Sequence, residues 1–156
     1  MNYAFSFLKN KKVDDITKII DEFFREELRK FIFPEIIDII NKHKRQSRNT
    51  IILSNAVDII VSRVADYLGI KDYICTRPES VDGKFTGRIW GETVYGPNKV
   101  RFAKKFLEDY RFNFNNCYAY ADYISDLDLL SVVKNSIVVD PDKILLREAR
   151  KRGWPI

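Results

Sequence analysis

The sequence predicts an α/β fold with a mostly parallel sheet, and three observations carry that expectation. From residue 34 onward, segments of helical and strand period alternate: helix, strand, helix, strand, hairpin, helix, strand, helix, strand, helix. Such alternation is the signature of a layered sheet with helical crossovers. A predicted strand such as Thr50 to Ser54, "TIILS", is a short apolar run, as expected of a strand covered on both faces. The segment boundaries also fall on punctuating residues: Pro34, Gly69, Pro97 and Gly153.

Each element has its own local reason. Val13, Ile16, Ile19, Ile20, Phe23, Phe24, Leu28 and Phe31 recur at three- and four-residue intervals and predict one amphipathic helix, with Asp14 as its N-cap. Pro34 ends that helix and opens the next, which carries Ile36, Ile37, Ile40 and His43 on one face. "HKRQSRN" (His43 to Asn49) is a polar connector before the "TIILS" strand. Val57, Ile60, Val64 and Leu68 predict a helix that Gly69 stops. "DYICTR" (Asp72 to Arg77) is a strand, and the spaced glycines of Gly83 to Gly96 predict a β-hairpin. A helix follows from Pro97 to about Tyr110, then a strand over "NCYAYA" (Asn116 to Ala121) and a short helix from about Ser125. "SIVVD" (Ser136 to Asp140) is the last strand, and Asp142 caps the last helix.

Composition narrows the function classes. With 156 residues, 46% of them apolar, the chain suits one domain with an ordinary core. No apolar run approaches the roughly 20 residues of a membrane span. The N-terminus places its lysines after a very short apolar patch, the reverse of a secretory signal. Cys75 and Cys117 are isolated in strand-like contexts, which fits buried free thiols and a cytoplasmic location better than a disulfide. His43 is the sole histidine, so a His-rich zinc site is excluded. The net charge of +5 is modest, and the basic residues are interleaved with acids, so nucleic acid is an unfavoured partner.

The candidate site comes from strand ends, where open α/β sheets bind ligands. "TIILS" ends in Ser54, whose hydroxyl, with the amides of Asn55 and Ala56 at an expected helix N-terminus, would cradle an anion. "YAYAD" ends in Asp122, with Asp126 four residues on. Lys99 lies in the first turn of its helix, where it opposes the helix dipole, so capping explains it poorly. A hydroxyl, an ammonium and two carboxylates are the parts for a phosphate beside Mg²⁺. Each also has a plainer reading: Ser54 as an N-cap, Asp122 and Asp126 as capping or first-turn acids, Lys99 as a solvated lysine. Trp90, Trp154, Tyr120 and Tyr123 are read as packing residues.

Six stretches, in order and in register, carry a family resemblance: "IILSNA", "TRPESVDGKFTGRIWG", "YGPNKV", "YAYADYISDLDLL", "VVDPDKIL" and "ARKRGWPI". With them the chain resembles the haloacid dehalogenase superfamily, in its phosphoserine-phosphatase-like branch with a helical cap. The resemblance implies a three-layer, Rossmann-like core over residues 34–156, a β-hairpin after the third strand position, and a helical cap remnant over residues 1–33. It implies a Mg²⁺-dependent phosphomonoester hydrolase acting on a small phosphorylated metabolite. Ser54 and Asn55 would bind the phosphoryl group, Lys99 would neutralise it, Asp122 would ligate the metal, and Asp126 would orient the metal's waters or pair with Lys99.

One part of the resemblance is missing. The family's nucleophile is the first aspartate of a D-x-D-x-[T/S] motif on the first central strand, and "MNYAFSFLKNKK" holds no aspartate. Asp14-Asp15-Ile16-Thr17 opens a helix instead, and Asp140-Pro-Asp142 lacks the hydroxyl at the required position. The expectation is a chain without its first strand, a truncated or split product, weak in Mg²⁺ and inactive or nearly so alone. Either "NYAFSFL" fills the strand's place, or the sheet closes up, or a second chain completes it. The alternative is a non-catalytic phosphate-binding or protein-interaction pseudoenzyme.

Overall fold

The computed structural model describes residues 3–156 and divides the chain into two compact units, Met1–Thr93 and Val94–Ile156. In the first unit the predicted long helix is interrupted. Helix α1 covers Val13–Glu26, the backbone breaks at Glu27 (φ −123°, ψ −62°), and Leu28–Phe31 tightens into a 3-10 turn. Lys12, rather than Asp14, occupies the N-cap, and Asp14 and Asp15 lie in the first turn, where a carboxylate suits the helix dipole. No residue of α1 is fully buried, and Ile19 and Phe23 on its apolar face remain exposed.

Helix α2 (Pro34–Arg45) begins at its proline as predicted and ends near His43, whose ring nitrogen lies 3.2 Å from Arg48. Strand β1 (Ile51–Val57) leads into α3 (Asp58–Leu68), which stops at Gly69 in the left-handed conformation (φ +60°). An ion pair, Asp21 to Arg63 at 2.6 Å, and an edge-on contact of Phe24 with Tyr67 fasten α1 to α3.

Strand β2 (Asp72–Val81) pairs parallel with β1 over its first half and antiparallel with β3 (Lys84–Trp90) over its second. The hairpin therefore turns at Asp82-Gly83, earlier than the Gly83 to Gly96 stretch suggested. Both turn residues have positive φ (49° and 72°), as a two-residue turn matching strand twist requires. The chain before α1 lies along β3, where Asn10 and Phe85 are joined by an amide-to-carbonyl bond of 2.9 Å. Tyr3–Leu8 is a 3-10 helix, so this segment does not substitute as a strand. A helical turn bonds its own backbone and leaves nothing to offer a sheet edge.

The second unit contains α4 (Pro97–Asp109), β4 (Tyr118–Ala121), α5 (Leu127–Val132), β5 (Asn135–Val138) and α6 (Lys143–Arg152). Strands β4 and β5 run parallel in register from Tyr118–Asn135 to Ala121–Val138. Leu130, Val138, Leu145 and Ala149 form its core, with Ala119, Ala121, Ile124, Leu127 and Trp154 packed around them. Trp154 thus packs as predicted. Trp90, at 67% exposure, does not, and Tyr120 and Tyr123 are exposed as well. Alternation along β4 turns its tyrosines away from the face that holds Ala119 and Ala121.

The α/β class is therefore correct, with parallel pairs β1–β2 and β4–β5 and one antiparallel hairpin. Among the described residues, β1 pairs in a ladder only with β2, and β4 only with β5.

Candidate active site

In the second unit, α4 and the loop after β4 bring two of the predicted residues into direct contact. Gly96 takes positive φ (52°), which lets the chain turn sharply into Pro97 at the first helical position. The Lys99 amide donates to the Gly96 carbonyl at 2.9 Å, closing the first turn. The Lys99 side chain is 8% exposed, and its ammonium lies 2.6 Å from Oδ1 of Asp126, itself 13% exposed. A cation sunk at the positive end of a helix dipole needs such a counter-charge. The solvated-lysine reading of Lys99 is thereby replaced.

The loop that presents Asp126 is short. After β4 ends at Ala121, the Asp126 amide donates to the Tyr123 carbonyl at 3.0 Å, and Ile124–Asp126 forms a 3-10 turn that feeds α5. The Ser125 hydroxyl donates to Oδ1 of Asp126 at 3.4 Å. Asp122 stands at the C-terminal end of β4 with an exposed side chain. Its carbonyl accepts from the Asp142 amide at 2.8 Å.

Asp142 itself caps α6 as predicted, with Oδ1 accepting from the amides of Ile144 (2.7 Å) and Leu145 (3.0 Å). Its Oδ2 accepts from the amide of Ile124 at 2.6 Å, a bond the sequence did not announce. The Leu145 amide, joined by those of Ile124 and Ile144, holds this carboxyl below its usual range against a smaller opposing effect of burial. Asp142, the second aspartate of Asp140-Pro-Asp142, is thus committed to three backbone amides. Asp14 and Asp15 are exposed on α1 and follow no strand of the sheet.

Ser54 and Asn55 belong to the first unit, at the C-terminal part of β1. Their surroundings differ from the expected helix N-terminus: the strand runs on to Val57, and α3 begins only at Asp58. Between Ser54 and Val57 the pairing with β2 slips, so Asn55 and Ala56 form a bulge. Ser54 Oγ accepts from the Ala56 amide at 3.1 Å, and Asn55 Oδ1 accepts from the hydroxyl of the fully buried Thr76 at 3.3 Å. The bulge, rather than a helix end, thus sets the direction of both side chains. The apolar run did not reveal it, because two extra residues in a strand leave no mark on composition.

Mg²⁺ prefers hard oxygen ligands, keeps several waters, and is content with one or two protein carboxylates. An exposed Asp122 with Asp126 nearby on the same loop meets that requirement in kind. In number the set is lean: Asp126 is shared with Lys99, and among the described residues no group of three or more His, Cys, Asp or Glu side chains could hold a metal.

The acid of the buried Lys99–Asp126 pair thus shares with the exposed Asp122 the loop that follows the parallel strand β4. Residues 1–131 match the haloacid dehalogenase-like hydrolase family, and the chain belongs to it. A probable phosphatase of Mycobacterium tuberculosis is 33% identical over 144 residues, which are 92% of this chain and 50% of that protein. A phosphoserine phosphatase of the same organism is 28% identical over 153 residues, 98% of this chain and 50% of its own length. A solved structure of a protein of unknown function from Bordetella pertussis superposes with a TM-score of 0.85 at 24% identity, covering 92% of this chain and 66% of its own. The chain spans about half the length of the curated relatives it matches.

Proposed function

We propose that this chain contributes the phosphate- and metal-binding part of a phosphomonoester hydrolase acting on a small phosphorylated metabolite in the cytoplasm. The observation that carries the reading is the buried Lys99–Asp126 pair, whose acid shares a loop with the exposed Asp122. In this reading residues 1–33 are a helical cap remnant and residues 34–156 the catalytic core. Within the second unit, Lys99 offsets the charge of a bound phosphoryl group and Asp122 with Asp126 holds Mg²⁺; within the first, Ser54 and the Asn55 amide are donors for an anion. When bound, the metal supplies positive charge to the transferring phosphoryl group. Lys99 is held in place by Asp126, so it meets an incoming anion without reorganising.

Covalent phosphoryl transfer also needs a nucleophilic carboxylate and an acid for the leaving oxygen. Among the described residues no aspartate pair stands at a strand end in the D-x-D-x-[T/S] pattern. The hydrolase reading therefore requires a nucleophilic carboxylate from outside the described residues. Residues 1–156 alone are therefore inactive or very weak. The second reading, a non-catalytic phosphate-binding or protein-interaction protein, draws on the same lack of a nucleophile.

Assay of the 156-residue chain with an aryl phosphate and Mg²⁺ tests the first point. No turnover above background is expected, and turnover abolished by Asp122→Ala would overturn the account of the nucleophile. Calorimetry with inorganic phosphate tests the cradle: binding is expected and should weaken in Ser54→Ala. Adding a peptide that carries the motif separates the two readings, since restored turnover favours the hydrolase and silence the binding protein.

A further inference from the structure

We propose that Asp142 is a positioning residue for Asp122 and the loop that carries it, beyond its part as a helix cap. This inference rests on the proposed role of Asp122 as a metal ligand. The two carboxylate oxygens of Asp142 are divided between two elements. Oδ1 serves the N-terminus of α6, through Ile144 and Leu145. Oδ2 serves the loop after β4, through the Ile124 amide at 2.6 Å. The Asp142 amide completes a ring of bonds by donating to the Asp122 carbonyl at 2.8 Å.

Asp122 is therefore gripped on both sides. Its own carbonyl is fixed to residue 142, and so is the amide two residues on. One residue upstream, the Ala121 carbonyl accepts from Val139 at 3.0 Å, so the tether continues the β4–β5 ladder past its last strand pair. The backbone of Asp122 cannot move without breaking or dragging its bonds to Asp142, the N-cap of α6. That helix is anchored by Leu145 and Ala149, both fully buried in the core of the unit. An exposed carboxylate on a loop thereby inherits the rigidity of a helix, as a preorganised ligand requires.

A plain N-cap does not need this arrangement. Serine caps a helix with one short oxygen, whereas reaching Ile124 at the same time takes a second acceptor on a longer arm. The division of labour provides the test. Asp142→Ser keeps an acceptor for α6 and loses the one for Ile124. In Asp142→Asn, the oxygen can serve α6 while the amide group meets the Ile124 N–H as a second donor.

The experiment uses the 156-residue chain and amide-resolved NMR. Hydrogen exchange is measured at Ile124, Ile144 and Leu145, and Mn²⁺ is titrated while the broadening of resonances from residues 122–126 is followed. Both variants should retain protection at Ile144 and Leu145, exchange Ile124 faster, and bind Mn²⁺ about tenfold more weakly. Asp122→Asn should abolish the broadening while leaving Ile124 protected. Unchanged Ile124 exchange and Mn²⁺ affinity in both variants would overturn the proposal. If the serine variant also loses protection of α6, the asparagine variant decides. Absence of broadening in the unmutated chain would defeat the metal reading of Asp122 and the positioning role with it. Faster Ile124 exchange would then show only that the clamp holds the loop.

Discussion

The ammonium of Lys99 and Oδ1 of Asp126 lie 2.6 Å apart, and both side chains are nearly closed to solvent. Burying two charges costs free energy that only their mutual attraction offsets. Removing one partner is therefore worse than removing both. Asp126→Leu alone strands the ammonium and should destabilise the second unit by about 3–5 kcal/mol. Lys99→Met with Asp126→Leu should cost clearly less than the sum of the single changes. Urea unfolding of the four proteins checks this, and strictly additive losses would mean that the pair is not coupled.

The two thiols should differ in reactivity. Burial pushes the Cys75 thiol up to about 11, the nearby Asp58 adds to the rise, and Arg77 opposes it. Cys117 is raised by burial as well, but it is only partly covered. The thiolate is the reacting species. At pH 8 a soluble disulfide reagent should therefore label Cys117 slowly and leave Cys75 unmodified until the chain unfolds. Mass spectrometry of timed samples reads the order, and early labelling of Cys75 would contradict its burial.

Much of the fold was written in local chemistry. The starts at Pro34 and Pro97, the stop at Gly69 and the cap at Asp142 each follow from a conformational restriction or a side-chain acceptor. The Asp82-Gly83 turn carried a readable signal as well, a dipeptide suited to two positive φ values, yet the later glycines drew the predicted hairpin downstream. Other features had no local trace. The bulge after Ser54 arises from how β1 meets β2. The partner of Lys99 lies 27 residues away, and sequence supplied it only through family resemblance. The bond from Ile124 to Asp142 depends on where α6 starts relative to β4, which a cap motif cannot reveal.

Gly69 and Gly153 offer a controlled comparison of strain against space. Both end a helix in the left-handed region, at φ +60° and +67°. A Cβ at Gly153 would meet nothing, whereas one at Gly69 would come within 3.1 Å of the Lys44 ammonium, which donates to the Leu68 carbonyl. That ammonium ends a flexible side chain and can move aside. Backbone strain should dominate at both sites, so Gly69→Ala and Gly153→Ala should each cost about 1–2 kcal/mol. Thermal denaturation reads both, and a much larger loss at Gly69 would show that Lys44 cannot yield.

Acid should loosen the loop that carries Asp122 before it unfolds the second unit. Three backbone amides hold the Asp142 carboxyl below its ordinary range. A carboxylate whose folded pKa is depressed contributes stability that is fully present above its unfolded value, about 3.9, and is lost as pH falls through the folded value. Neutral pH therefore keeps the clamp intact, and the loss belongs to the acid side of pH 4. On protonation one oxygen becomes a hydroxyl and faces amides that are themselves donors. The bond to Ile124 comes from a short turn, whereas those to Ile144 and Leu145 sit within a helix anchored in the core, so Ile124 should yield first. Amide exchange between pH 5 and pH 2, corrected for its intrinsic pH dependence, should show Ile124 losing protection ahead of Leu145. In Asp142→Asn the acid-dependent step should vanish, because no proton is taken up there. The same step surviving in that variant would assign it to a different carboxylate.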